Sequence, residues 1–171
     1  MESRRVLSVV VWMIFSLGVA GCGESGQDAM ARSTGTLTGE VQWSGTWPET
    51  GKLLLALFAS PPWDPGWAPG PPSAYRYLEK GEGHAIAFAL DNPPIAFGEY
   101  GALMIAWKDP QEPDPRKQMH VVSAYGTTVD ELASAQSIVL EATRPDWVDL
   151  EMPPMTLFLS AADMRTHFPS L

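Results

Sequence analysis

The side chains capable of chemistry are few and scattered. Cys22 is the only cysteine, so the chain can form no internal disulfide and no Cys-based metal set. His84, His120 and His167 lie far apart, and none sits in an H-x-x-x-H or H-E-x-x-H spacing that would place two imidazoles on one helical face. No serine occupies a G-x-S-x-G elbow, and no glycine-rich stretch matches a phosphate or dinucleotide loop. Carboxylates are plentiful: Glu79 with Glu82, or Asp149 with Glu151, could pair. At a net charge of −9, however, neighbouring carboxylates arise by number alone. The densest acidic stretch is the loop KDPQEPDPRKQ (108–118), where Asp109, Glu112 and Asp114 offer oxygens to a cation. Calcium needs about six to eight of them, and Pro110, Pro113 and Pro115 stiffen a loop that has no glycine to wrap an ion. These three are weak metal candidates, the expected state is a solvated loop, and no cofactor is expected.

The aromatics say more. Trp63 and Trp67 flank Asp64 in the proline- and glycine-rich loop SPPWDPGWAPGPPS (60–73). Exposed indoles beside a carboxylate can stack on a sugar or anchor a protein partner, where tryptophan is favoured. The alternative is that the loop folds back and both rings cover one open edge of the sandwich, each burying about 150–250 Å². Trp107 and Trp147 fall within expected strands and read as packing residues. Trp43 and Trp47 flank a turn and stay ambiguous.

The N-terminus carries an address. Arg4 and Arg5 precede an apolar run from Val6 to Val19, broken by Ser8, Ser16 and Gly18. That run is shorter than the about 20 apolar residues of a membrane span and ends in small residues, the pattern of a signal peptide. Val19-Ala20-Gly21-Cys22 resembles the lipobox of bacterial lipoproteins, which implies a signal peptide over 1–21 and diacylation of Cys22 as the first mature residue. Several acyl chains (palmitate-type groups), at about 0.8 kcal/mol per buried CH₂, make a stable anchor in a bilayer. Residue 23 is glycine; the resemblance mildly favours the outer membrane if the source is Gram-negative, because aspartate there tends to retain lipoproteins inside.

Loss of Arg4, Arg5 and Glu2 with that leader leaves the mature chain one unit more acidic. So acidic a surface without a basic cluster is a poor ligand for nucleic acid and is repelled by anionic lipid heads. About 150 residues remain, enough for one domain.

The elements that must position these groups are strands. Residues 22–33, the lipidated cysteine and the small polar stretch GESGQDAMARS after it, read as a flexible tether. From residue 34 to 171, short apolar or alternating runs are separated by Gly/Pro clusters. Strands are expected over 36–43, 52–59, 74–78, 84–90, 102–107, 119–125, 138–142 and 147–152, with a short apolar run over 155–159. KLLLALFA (52–59) is continuous, as for a central strand buried on both faces. Asp91 to Pro94 reads as a turn, 128–136 as one or two helical turns, and Ser160 as the cap of a turn through Asp163. Many short strands with regular turn signals and no crossover helix predict an all-β fold, a single Greek-key β-sandwich, transthyretin-like or Ig-like, of about seven to nine strands.

Gly35-Thr36-Leu37-Thr38-Gly39-Glu40-Val41, the approach Pro93-Pro94 to Gly98-Glu99-Tyr100 with Ala106-Trp107-Lys108-Asp109-Pro110, and Tyr125-Gly126 together resemble a transthyretin-like or carboxypeptidase-regulatory-like β-sandwich domain. The resemblance implies a Greek-key sandwich in an accessory, adhesive or carbohydrate-related role. Related bacterial domains carry a calcium-loop pattern after this strand, and the 109–115 stretch lacks its glycine and spacing. The chain also lacks the tyrosine-arginine-glycine-serine tail of transthyretin-like hydroxyisourate hydrolases, ending instead in His167-Phe168-Pro169-Ser170-Leu171.

These readings converge on a membrane-anchored, non-enzymatic binding or scaffolding sandwich of the cell envelope. Its expected partners are the lipid bilayer through Cys22 and an envelope protein or polysaccharide through Trp63, Asp64 and Trp67. The alternative is a carbohydrate-binding or hydrolase-accessory domain acting through Asp109, Glu112, Asp114 and His120.

Overall fold

The computed structural model describes residues 32–64, 70–115 and 117–171. The expected signal peptide, Cys22, the expected tether as far as residue 31 and Trp67 lie outside the described residues. The chain is an all-β sandwich. A three-stranded sheet has the order β4-β1-β9 and a four-stranded sheet the order β3-β2-β6-β7; β5 and β8 form a separate ribbon. The strands are β1 (Thr34–Gly45), β2 (Lys52–Phe58), β3 (Ala74–Leu78), β4 (Ala85–Ala96), β5 (Gly98–Tyr100), β6 (Ala102–Lys108), β7 (Met119–Ala124), β8 (Ile138–Leu140) and β9 (Asp146–Leu157). A helix, α1 (Ala161–His167), closes the chain. Neighbours pair antiparallel except β1 and β9, which run parallel.

Alternation assigns each side chain a layer. Leu53, Leu55 and Leu57 of β2 and Leu103, Ile105 and Trp107 of β6 face the sandwich core, against Leu37 and Val41 of β1, Phe88 and Leu90 of β4 and Leu150 and Met152 of β9. The intervening Leu54, Ala56, Phe58, Met104 and Ala106, with Val121 and Ala124 of β7, form a second buried cluster on the other face of the same sheet. The unbroken apolar run of β2 is therefore required: both of its faces are buried.

Two expected breaks are absorbed into strands. Leu37 pairs with Leu90 and Gly35 with Ile95, so Asp91 to Pro94 stand against Thr36 alone, and the expected turn is a bulge inside β4. Likewise Val41 pairs with Met152 and Trp43 with Met155, so Pro153 and Pro154 bulge within β9 and join the two expected runs into one strand ending at Leu157. Both strands are edges of their sheet, and edges and bulges are where a residue without an N–H is tolerated. Gly39 permits the close parallel approach, since a Cβ there would lie 2.1 Å from the Leu150 carbonyl oxygen.

The expected helical turns over 128–136 contract to a 3₁₀ turn, Leu132–Ser134. Ser160 caps α1 as expected, its Oγ accepting the Asp163 N–H at 3.1 Å, and the helix continues to His167.

Candidate functional site

The four-stranded sheet is apolar on its outer face, and what covers that face is a patchwork of loops. In register across the strands stand Tyr77, Leu54, Ala106 and Val121, then Tyr75, Ala56, Met104 and Ala124. Over them pack Trp63 from loop 60–73, Met119, Val129, Leu132 and the terminal Leu171. The cover is incomplete. A hollow of about 770 Å³ remains, lined by Leu54, Phe58, Trp63, Met119, Leu132 and Leu171 together with Pro62, Pro71, Pro72, Pro115 and Pro169. Among the described residues, its polar side chains are Asp64 and Ser170. The volume falls within the about 300–1,000 Å³ usual for ligand sites.

Local chemistry explains how the loop reaches this place. Pro61 sits against Gly101, where a Cβ would lie 2.6 Å from the Pro61 ring, so Gly101 admits the loop. The Pro61 carbonyl accepts the Asp64 N–H at 3.2 Å, closing a turn that presents Trp63 to the sheet, and the Ser73 N–H returns to the Leu57 carbonyl at 2.7 Å. Trp63 is half-buried there, whereas Asp64 is exposed.

Further along the same face lies an open hollow of about 410 Å³, lined by Gly51, Lys52, Tyr77, Lys108, Asp109 and Gln118 among others. Lys52 and Lys108 stand directly opposite one another across β2 and β6. The Lys52 ammonium lies 5.1 Å from the centre of the Tyr77 ring, and Tyr77 meets Tyr75 edge-on, with 6.1 Å between ring centres. These two tyrosines, 41% and 50% exposed on edge strand β3, form an aromatic rim.

The acidic loop is put to structural use. Asp109 is buried, and Arg165 of α1 grips it with two donors, Nε at 2.5 Å and Nη2 at 2.9 Å. The Gln111 N–H also donates to Asp109, at 2.9 Å. The Arg165 bonds hold the Asp109 carboxyl below the ordinary carboxylate range, against the upward push of burial, and Asp109 in turn raises the Arg165 guanidinium. Glu112 accepts the Asp114 N–H at 2.9 Å. Among the described residues no three His, Cys, Asp or Glu side chains are grouped so as to hold a metal ion. Asp109, Glu112 and Asp114 thus do not converge on a cation.

Each histidine packs on a different aromatic ring. His84 lies against Trp43, His120 against Trp107 and His167 against Phe158. His120 is buried, with Nδ1–H donating to the Phe168 carbonyl at 3.0 Å, and His167 donates to the Asp163 carbonyl at 2.8 Å. His120 thereby belongs to the fastening of the C-terminal tail, which also pairs with β7 through Val121 N–H to Pro169 O and Leu171 N–H to Met119 O, both 3.0 Å. Trp107 is fully buried, as its strand position predicts, and its Nε1–H donates to Thr50 O at 2.9 Å. Trp147 carries the Arg144 guanidinium over its ring at 3.8 Å.

Of the three expected contact residues, Trp63 and Asp64 line the hollow and Trp67 lies outside the described residues. Sequence reasoning missed Lys52, Tyr77, Lys108, Leu132 and Leu171, and it missed Arg165 as the partner of Asp109. The signal for the covered face lay in β2 itself: a strand buried on both faces needs a second cover, and its alternate residues Leu54, Ala56 and Phe58 define what is covered. Arg165 gave no such signal, because ion pairs between distant segments leave no periodic trace. No protein-family model matches the chain, and neither the curated proteins nor the solved structures contain a match.

Proposed function

We propose that this chain is a lipid-anchored envelope protein whose sandwich works by binding rather than by catalysis, with the hollow beside Trp63 as its contact surface. The observation that carries this reading is the incompletely covered apolar face of the four-stranded sheet. A sheet face of this kind is a recognition surface when a concave apolar lining meets a large aromatic anchor and few polar groups. The lipobox-like Val19-Ala20-Gly21-Cys22 supports the anchor, and the acidic character of the rest leaves the lipid to supply membrane attachment. Among the described residues no helix is long and apolar enough to cross a membrane.

The hydrolase-accessory reading is less well supported. It needs a free carboxylate near His120, but the Asp109 carboxylate is occupied by Arg165 and the His120 Nδ1 by a backbone carbonyl. The transthyretin-like resemblance enters this proposal as the source of an accessory, non-catalytic role.

Two experiments test it. Metabolic labelling with palmitate should mark the wild-type chain and leave Cys22→Ser unmarked; label on both removes the anchor from the proposal. A pull-down of the full chain from solubilised envelopes, wild type beside Trp63→Ala/Trp67→Ala, should capture a stoichiometric protein or glycan partner that the variant loses. Equal capture by both, with the variant's melting temperature lowered, would make the loop structural.

A further inference from the structure

We propose that the outer face of the four-stranded sheet holds a long-chain carboxylate, its alkyl chain in the hollow over Leu54, Phe58 and Trp63 and its head group at Lys52 and Lys108. This rests on the binding reading above and names the ligand class.

The face is built as a track with one charged end. Lys52, Leu54, Ala56 and Phe58 alternate along β2 and so point to one side, spanning about 20 Å at about 3.3 Å per residue. Leu54 lines the larger hollow and Lys52, two residues away, the smaller; Met119 and Gln118 divide in the same manner. The two hollows thus succeed each other along a single face.

The lining selects an apolar occupant. Prolines supply neither N–H nor side-chain donors, and among the described residues Asp64 and Ser170 are the polar side chains present. A saccharide would leave its hydroxyls without partners there, at a cost that an alkyl chain does not meet. A volume of about 770 Å³ suits one drug-sized ligand, and so favours a single alkyl chain over a two-chain phospholipid.

Charge orients the occupant. Lys52 and Lys108 stand opposite each other in register and both line the smaller hollow, with the Lys52 ammonium over the Tyr77 ring. Among the described residues neither Lys52 nor Lys108 makes an ion pair, and the carboxylate nearest in sequence, Asp109, is taken by Arg165. Asp64 puts negative charge at the opposite end. In a chain of net charge −9, these two cations at one hollow give an anionic head group a defined site.

Photo-crosslinking of the full chain in its own membranes tests this, with diazirine-bearing palmitate as the probe. Crosslinks are expected in peptides containing Leu54–Trp63 and Met119–Leu132, suppressed by excess palmitate but not by hexadecanol at the same concentration. Lys52→Ala/Lys108→Ala should reduce this labelling about tenfold, the loss of one charge-assisted contact, while Lys52→Arg/Lys108→Arg retains it. Both lysines are exposed, so unchanged melting of the alanine variant excludes misfolding. Equal competition by hexadecanol overturns the head-group assignment and leaves the binding reading standing. Crosslinks confined to residues 1–22, or a face occupied by a second copy of the chain, overturn the ligand assignment. So does a protein or glycan partner captured in the pull-down without any palmitate labelling of this face, and that result keeps the proposed function.

Discussion

Substituting Arg165 by Met should destabilise the domain by about 2 kcal/mol at neutral pH, and the deficit should vanish in acid. Removing one member of a buried ion pair costs about 3–5 kcal/mol when both members are desolvated. Here Asp109 is buried but the Arg165 side chain is 37% exposed, so water screens the pair and the cost falls to about 2 kcal/mol. For a domain of this length that amounts to a melting temperature lower by about 4–8 °C. The pH dependence follows from the direction of the shift. Arg165, through its hydrogen bonds, depresses the Asp109 pKa in the folded state, so the stabilisation is complete above the unfolded carboxylate pKa of about 3.9 and is lost as pH falls through the depressed folded value. In the variant, burial pushes the Asp109 pKa upward against the remaining Gln111 N–H and the nearby His120, so protonation relieves the orphaned carboxylate at a higher pH than in the wild type. The gap between the two proteins therefore closes as the pH falls through the carboxylate range. Thermal melts followed by circular dichroism at pH 7, 5, 4 and 2.5 would measure it, and an Asp109→Asn/Arg165→Met double variant completes the cycle. A variant melting within about 1 °C of wild type at pH 7, or a gap undiminished at pH 2.5, would refute the account of Asp109 as a structural anchor.

Other positions give independent checks. Gly39→Ala forces a Cβ to 2.1 Å from the Leu150 carbonyl and should cost about 2–3 kcal/mol in urea unfolding, with early amide exchange along β1 and β9. Leu55→Ala, in the sandwich core, should lose about 3 kcal/mol, whereas Leu54→Ala, which borders the hollow, should lose less than half of that; equal losses would mean the outer face is as tightly packed as the core. Trp107→Phe forfeits the bond from Nε1 to Thr50 O, but among the described residues the buried Nε1 of Trp43 has no partner, so Trp43→Phe should be milder by about 1 kcal/mol.

Strand identity was legible almost everywhere because alternation and continuous apolar runs are local properties. β2 shows this best: its sequence announces both its type and its burial on two faces. The prolines misled in a consistent direction. Pro93-Pro94 and Pro153-Pro154 read as punctuation, yet at the two edges of the three-stranded sheet they bend the strand without ending it. Edge position is a property of the sheet order, which no local pattern carries. The parallel pairing of β1 with β9 was hidden for the same reason, although Gly35 and Gly39, the small residues that allow the approach, were visible as a spaced pair.

The candidate site follows from one feature of that fold. A two-sheet sandwich ordinarily buries one face of each sheet and wets the other. Here the three-stranded sheet obeys: the Thr38, Glu40, Gln42 and Ser44 side of β1 is polar. The four-stranded sheet does not, and its outer face must be dried by whatever chain is near. That cover is irregular, consisting of a proline-rich loop, a single 3₁₀ turn and three terminal residues held to β7. Prolines bring no backbone donors that would need partners, but they cannot interdigitate as strands do, and a hollow lined by Leu54 and Trp63 among others remains. Had the face been meant only for the core, substituting its covering prolines and Ser170 with larger apolar residues would be the simple way to close it. A filled hollow of that kind, made by Ser170→Leu, should raise the melting temperature and abolish photo-palmitate labelling together. Stabilisation with labelling intact would place the ligand elsewhere on the domain.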